Sequence, residues 1–553
     1  MIVLGLAGGL GHDASAALVV DGLLVALAEE ERFVRTRHAP DQLPVEATAY
    51  CLAEAGISMS DVDVLATSWL TADLADVQSD MQNDLLAHPY FAGSRRPRWE
   101  QVMHPVAHAC AAYHTSGFDE ATIISTDGVG DGIATLVGHA RDGVIEIKRS
   151  FPISESFGMF YLGVTTYLGF RFGQEGKVMG LASYGEPDEG WMPFDLHDDG
   201  GYDSGLGSLG ADRPNYGPPL VRAWAARVEE RFGPRRPRRY TYERRTARLG
   251  VDVDTDQHQQ HVAASGQRVL ERALLHVVEN AVRETGCRDV VVAGGVGLNC
   301  TANGAIWRSG LVDRLAVFPA SGDAGTSAGA ALAVAAAAGE RPRGALPTAG
   351  LGPGFGDDEI RGVLRAYGVP FTSEDDIAGT VADLLVEGRM VGWFQGRAEF
   401  GPRALGQRSI LASPLDRSMH HRVNAMKNRE QWRPLAPSLT PAAAEKYLIE
   451  PGPSRWMLTA CQVRDEMRTE IPAVVHVDGS CRPQIVDDGA PSEYRRMLGR
   501  LAERGHPAVV LNTSFNLAGE PIVHSPQDAL RSFFGSSMDV LAIGSALVRK
   551  PGS

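Results

Sequence analysis

Two apolar runs in this chain stop at the same kind of turn, and that repetition restricts the fold more than any other feature. Ile2–Leu6 leads into Gly8-Gly9-Leu10-Gly11-His12-Asp13, and the run 121–126 (Ala-Thr-Ile-Ile-Ser-Thr) leads into Asp127-Gly128-Val129-Gly130-Asp131. Short apolar runs of this length read as buried strands. Glycine turns carrying polar residues place those residues at the carboxyl edge of a sheet, where α/β folds hold ligands. Two such edges predict two half-domains facing one cleft.

The surrounding pattern extends this α/β reading. Ala14–Val20 and Leu23–Ala28 flank an Asp21-Gly22 hairpin turn, a helix is expected near Pro44–Ala55, and Asp289–Val292 is a further strand. Residues 259–285 have helical apolar spacing and end at Gly286, a plausible C-cap. The Ala/Gly/Pro-rich stretch 337–357 marks a boundary between a domain at 1–345 and a second at 358–553, which opens with helices at 357–367 and 376–388 and a strand at Met390–Phe394. Residues 186–250, with their Pro-Arg-Arg-Pro-Arg-Arg-Tyr run, read as a solvated charged excursion; Trp224, Tyr240 and Tyr242 within it would suit a sugar or a polyketide.

Of 553 residues, 44% are hydrophobic and 22% charged, which excludes a disordered or fibrous chain. The net charge of -15 speaks against a bulk nucleic-acid binder, though not against a local basic pocket. Six dispersed cysteines without a Cys-x-x-Cys pair fit a reduced compartment. The N-terminus has no basic stretch ahead of its apolar run, and the alanine-rich run near 328–338 is too short to span a bilayer, so a cytoplasmic protein without membrane contact is expected.

Four constellations carry chemistry. His104-Pro-Val-Ala-His108 puts two imidazoles on one helix face, with Pro105 in the first turn. Alone, the pair also suits two core histidines. Together with Asp127 and with Asp323 in its glycine turn it makes a mixed N/O donor set for Fe²⁺, Mn²⁺ or Zn²⁺. His12 in the first glycine turn is a candidate general base, or a residue that merely caps the turn. The run 293–304, Ala-Gly-Gly-Val-Gly-Leu-Asn onward, is a glycine-rich turn suited to a nucleotide's phosphate or sugar. Finally, Arg397, Arg403, Arg408, Lys427, Arg429 and Arg433 lie within 37 positions of an acidic protein, among Phe400, Leu405, Ile410, Trp432 and Pro434. Guanidinium groups among apolar neighbours suit an inward-facing phosphate site better than a solvated face. Arg482 and the strand ending at Asn512, Ser514 and Asn516 add polar groups downstream.

In order along almost the whole chain, the stretches GHDASAAL, HPVAH, STDGVGDG, GQEGKVMGLASYG, AGGVGLN, PASGDAG, EFGPRALGQRSI, NREQWRPLAPS, DGSCRPQ and LNTSFNLAGEPIV resemble the O-carbamoyltransferases of the nodulation-factor and antibiotic-tailoring type. One departure is Ser183-Tyr184, where many relatives read Pro-Tyr. The resemblance implies an actin/hexokinase-like (ASKHA) N-terminal domain and a YrdC-like C-terminal domain. It also implies a two-step reaction in which carbamoyl phosphate and ATP, with Mg²⁺, give carbamoyladenylate, whose carbamoyl group then passes to a hydroxyl of a small molecule such as an antibiotic precursor. It assigns Arg403, Lys427, Arg433, Arg482, Ser514 and Asn516 to carbamoyl phosphate, and Gly128, Gly295 and Asn299 to the nucleotide. His104, His108, Asp127 and Asp323 would hold a metal, with iron expected, and His12 would be the base. A homodimer is the expected assembly by the same resemblance. Two competing readings are a threonylcarbamoyl-type tRNA modification enzyme, which the acidic charge disfavours, and a non-catalytic nucleotide sensor, which would not need the arginine cluster. The acceptor is not written in the sequence.

Overall fold

The computed structural model describes residues 1–8, 11–68, 72–207, 209, 217–235, 239–243, 248–252, 256–340 and 344–550. Its first sheet comprises β1 (Ile2–Ala7), β2 (Ser15–Val20), β3 (Leu23–Glu29), β4 (Val64–Thr67) and β5 (Arg98–Gln101) in the order β3-β2-β1-β4-β5. The first three strands are antiparallel neighbours, and β4 and β5 run parallel to β1. The second sheet comprises β6 (Glu120–Gly130), β7 (Ile133–Arg141), β8 (Val144–Pro152), β9 (Asp289–Ala293) and β10 (Arg314–Val317), and it repeats the plan as β8-β7-β6-β9-β10. Again two hairpins are followed by two parallel strands. This duplicated α/β plan is the one expected of an actin/hexokinase-like domain. Both expected strand-to-turn edges are present, at the carboxyl ends of β1 and β6. Gly9 and Leu10 lie outside the described residues.

The two sheets are held together by the helix Thr326–Ala337, which lies close to both β1 and the helix His104–His114. The approach is so tight that a Cβ on Gly5 would sit 1.8 Å from the Ser327 carbonyl oxygen, and one on Gly329 would sit 1.8 Å from that of Ala107. Backbones at that distance admit no side chain between them, so only glycine fits at either position. Ser15 Oγ adds hydrogen bonds to the Ala324 carbonyl (2.7 Å) and to Ser327 Oγ (2.9 Å), fixing the start of this helix beside the first turn.

A third, eight-stranded mixed sheet is drawn from residues 372–549, with Val391–Phe394, Arg408–Ala412 and Val509–Ser514 adjacent near its centre. The expected helices occur as Asp357–Ala366 and Ile377–Val386. No described helix is long and apolar enough to cross a membrane.

The expectation for 186–250 requires correction. Within it the helix Pro218–Phe232 buries Leu220, Trp224 and Val228 completely, among Phe157, Phe160 and Phe194. Apolar residues at i, i+4 and i+8 make a core-facing stripe, which the charged neighbours disguise. Trp224 therefore packs the core and is closed to any acceptor. The side chains of Tyr240 and Tyr242 lie outside the described residues.

Candidate active site

Pro105 starts the helix His104–His114 with a residue that needs no N–H partner there, and Asp131 accepts the His104 backbone N–H at 2.6 Å. The i, i+4 spacing then brings the two imidazoles together, His104 Nε2 and His108 Nε2 being 3.0 Å apart. Asp127, from the end of β6, faces both, its Oδ2 lying 3.2 Å from His104 Nε2 and 3.4 Å from His108 Nε2. Asp323, from the turn after β10, places Oδ1 3.6 Å from each. One ligand atom from each of the four residues lies within 4.8 Å of every other. The Gly295 N–H holds the second oxygen of Asp127 at 2.8 Å.

Burial alone would lower the His104 pKa, but hydrogen bonds to Asp127 and Asp323 and the field of both carboxylates reverse that and hold it at about 10. His108 is raised in the same way. The same contacts hold both carboxyls below the usual carboxylate range despite their burial. Two imidazole and two carboxylate donors converging on one point fit a divalent transition metal.

His12 sits at the rim of this cluster. Its Nδ1 lies 2.9 Å from Asp13 Oδ2 and 3.9 Å from Asp323 Oδ2, so the turn of the first sheet meets that of the second. Burial pulls its pKa down, but the Asp13 hydrogen bond and the charges of Asp323, Asp13 and Asp127 outweigh it and place it at about 9. A small apolar pocket lies beside Gly8 of this turn, lined also by Leu43, Leu65, Met81, Leu85 and Trp99.

In the third sheet's unit the basic residues separate into two groups, which corrects their reading as one cluster. Arg408 is fully buried and donates to the Gln395 carbonyl at 2.9 Å, with its guanidinium over the Phe394 ring. Arg397 donates to the Leu351 carbonyl (2.7 Å) and to Tyr50 Oη (2.9 Å). Both therefore brace the chain. The others converge. Lys427 is buried, and its ammonium donates to the Ser514 carbonyl, to Ser514 Oγ (3.3 Å) and to Asn516 Oδ1 (2.9 Å). Burial, with Arg429 and Arg433 close by, pushes its pKa well below the ordinary value. Burial also depresses Arg403 to about 9, helped by Arg482 and Arg433, and Arg429 to about 9, helped by Arg433 and Arg37. Arg433 is lowered too, by burial and against the pull of Glu430. Arg403 Nε is buried with no hydrogen-bond partner. Crowded, desolvated cations with an unpaired buried donor make a cradle suited to an anion.

The glycine-rich turn after β9 is held by hydrogen bonds within the protein. Asn299 caps the helix Cys300–Arg308 through the Ala302 N–H (3.0 Å) and exchanges two amide hydrogen bonds with Gln267. Its amide is thus tied to the protein on both its oxygen and its nitrogen, and the Gly295 N–H donates to Asp127. Gly128 lies against Gly158, where a Cβ would come within 2.7 Å of Gly128 Cα.

Sequence reasoning missed the partners between units. Lys177, in the helix Glu175–Ala182, pairs with Glu430 at 2.5 Å, and Tyr184 donates to the Trp432 carbonyl at 3.2 Å. Ser183, the departure from the family pattern, donates to Asp478 Oδ2 at 2.9 Å, a contact proline cannot make. Both residues lie in or beside the motif GQEGKVMGLASYG, whose local pattern says nothing about the surface it meets.

Fold and site define a class: an α/β protein with a duplicated sheet, a candidate metal centre where the two halves meet, and a separate cationic cradle in a third sheet's unit. Residues 3–77, 92–203 and 242–332 match the family model described as carbamoyltransferase N-terminus, and 382–550 match that described as carbamoyltransferase C-terminus. The chain belongs to the carbamoyltransferase family of enzymes. It is 35% identical over 592 residues to nodulation protein NolNO of Sinorhizobium fredii, an alignment covering 100% of this chain and 83% of that protein. It is 38% identical over 459 residues to nodulation protein NolO of Bradyrhizobium diazoefficiens, covering 81% and 78% respectively. Among solved structures, HypF of T. kodakarensis matches with a TM-score of 0.34 and 14% identity, over 61% of this chain and 48% of that one. ROK hexokinase of Thermus thermophilus matches with a TM-score of 0.28 and 16% identity, over 60% and 98%. At these scores the fold assignment rests on strand order alone.

Proposed function

We propose that this enzyme is an ATP-dependent O-carbamoyltransferase acting on a hydroxylated small molecule, with its two half-reactions at the two centres. The observation that carries this reading is the pairing of a cationic cradle around Lys427 with a His/Asp cluster beside His12. In the cradle, Lys427, Arg403, Arg433, Arg482, Ser514 and Asn516 bind carbamoyl phosphate, whose hydrolysis releases phosphate and carbamate. A carbamate oxygen attacks the α-phosphorus of ATP, pyrophosphate leaves, and carbamoyladenylate results. At the second centre the acceptor hydroxyl attacks the carbamoyl carbon, the bond to the adenylate oxygen breaks, and AMP departs. His12 receives the hydroxyl proton.

His104, His108, Asp127 and Asp323 would hold the metal, with iron favoured, and the group would supply Lewis-acid polarisation. A cation held there would also offset the carboxylate field that raises the His12 pKa, favouring the neutral ring that a base must be. A shared cavity or channel between the centres would suit the reagents, since carbamate and its adenylate both need shelter from water in transit.

The test is Arg433→Ala. Losing a charge-assisted pair to a phosphate, at about 1.5–3 kcal/mol, should remove most pyrophosphate release driven by carbamoyl phosphate. Transfer from supplied carbamoyladenylate should persist. Loss of both activities in a folded protein would overturn the two-centre reading.

A further inference from the structure

We propose that Asp13 and His38 are positioning residues for His12, with Asp13 bridging the two imidazoles and fixing the ring that serves the transfer half-reaction. The proposal rests on the role given to His12 above. Asp13 uses one oxygen for each ring, Oδ2 lying 2.9 Å from His12 Nδ1 and Oδ1 2.8 Å from His38 Nδ1. A carboxylate accepts, so both Nδ1 atoms donate. In the neutral ring this leaves Nε2 as the accepting nitrogen, the tautomer a base needs. Without His38, the Asp13 carboxylate would be free to rotate and the His12 ring with it.

The backbone is built to hold this bridge. Asp13, Arg35, His38, Ala39 and Asp41 all adopt left-handed φ values, between 37° and 65°. Such conformations cost energy in non-glycine residues and persist only where the surroundings over-determine them. Here they do. The Asp13 N–H donates to the His38 carbonyl at 2.7 Å, and the His38 N–H to Glu31 Oε2 at 2.7 Å. Gly11 and Asp41 exchange two more hydrogen bonds, at 3.0 and 3.2 Å. At its start, the same loop is tied to the other unit by Arg35, which donates to the carbonyls of Pro521 (3.0 Å) and Ile522 (2.6 Å). Phe172 covers the His12 ring at 4.7 Å between centroids. His38 itself is only half-buried, in contrast to the core histidines of the helix 104–114.

The experiment compares His38→Ala with His38→Asn in the full-length enzyme, assaying pyrophosphate release and carbamoylated product separately. Asparagine places a donor nitrogen where His38 has Nδ1 and tolerates left-handed φ. His38→Ala should lower transfer turnover about 10–100-fold, the usual cost of removing an orienting partner. Acceptor KM and pyrophosphate release should stay close to wild type, and His38→Asn should recover most of the loss. Equal transfer by wild type and His38→Ala would overturn the proposal. So would a parallel fall of both half-reactions, or a failure of asparagine to rescue in a protein of unchanged melting temperature. If instead the wild type releases no pyrophosphate in response to carbamoyl phosphate, the functional reading fails first, and that assay shows it separately.

Discussion

Arg403 should cost the free protein stability and repay it when an anion binds. Burial, with Arg482 and Arg433 close by, lowers its pKa from 12.5 to about 9. A base whose folded pKa is depressed destabilises the fold wherever both states are protonated. The cost is therefore complete below about pH 9 and fades as the pH rises toward the unfolded value. A shift of roughly 3.5 units corresponds to about 5 kcal/mol. Relaxation of the surroundings and water penetration around a buried charge bring the expected cost to about 1–3 kcal/mol. Replacing it with methionine, of similar length and no charge, should raise the melting temperature by about 2–4 °C per kcal/mol regained. Phosphate should act in the opposite sense on the two proteins. At about 100 times its dissociation constant it should stabilise wild type by about 2.7 kcal/mol, and it should do much less for Arg403→Met. The assay is thermal unfolding at pH 7.5 in chloride and in phosphate at matched ionic strength. If Arg403→Met melts no higher than wild type in chloride and gains as much from phosphate, the cradle is not electrostatically strained and the reasoning is wrong.

Two further outcomes are expected. His108→Ala should strip the metal and abolish transfer, because two of the four donors sit on one helix face and one imidazole cannot hold the site; full occupancy by elemental analysis in that variant would refute the ligand set. His114 is buried, and burial lowers its pKa to about 4, so the fold should lose stability as the pH falls from 6.5 toward 4 while the unfolded chain takes up the proton. At pH 4.5 the loss is about 2–3 kcal/mol by urea titration, and His114→Leu should remove that share of the acid sensitivity; an unchanged pH profile would count against it.

What could be read in advance followed local rules. Strands at β1 and β6 announced themselves by apolar runs cut off by glycine, and Gly286 closes the helix Gln257–Thr285 at φ 70°, as its position implied. The i, i+4 histidines and two turn aspartates were legible because a helix face and a strand end are both defined by spacing alone. What was not legible depended on partners far along the chain. The Asn299–Gln267 pairing was hidden because nothing nearby in sequence announces Gln267. Arg408 looked like a ligand because its carbonyl partners carry no side-chain signature. Trp224 was hidden by the charges on the opposite face of its own helix.

Glu430 stands between Lys177 of one unit and Arg433 of the other, 2.5 and 3.9 Å away. The charge balance of the cradle is therefore set partly by a residue some 250 positions upstream. A gene cut between the units would take Lys177 away from Glu430 and leave Arg433 as its ion-pair partner. Modularity of fold and modularity of function part company at this seam: the halves can be drawn separately, but the electrostatics treat them as one molecule.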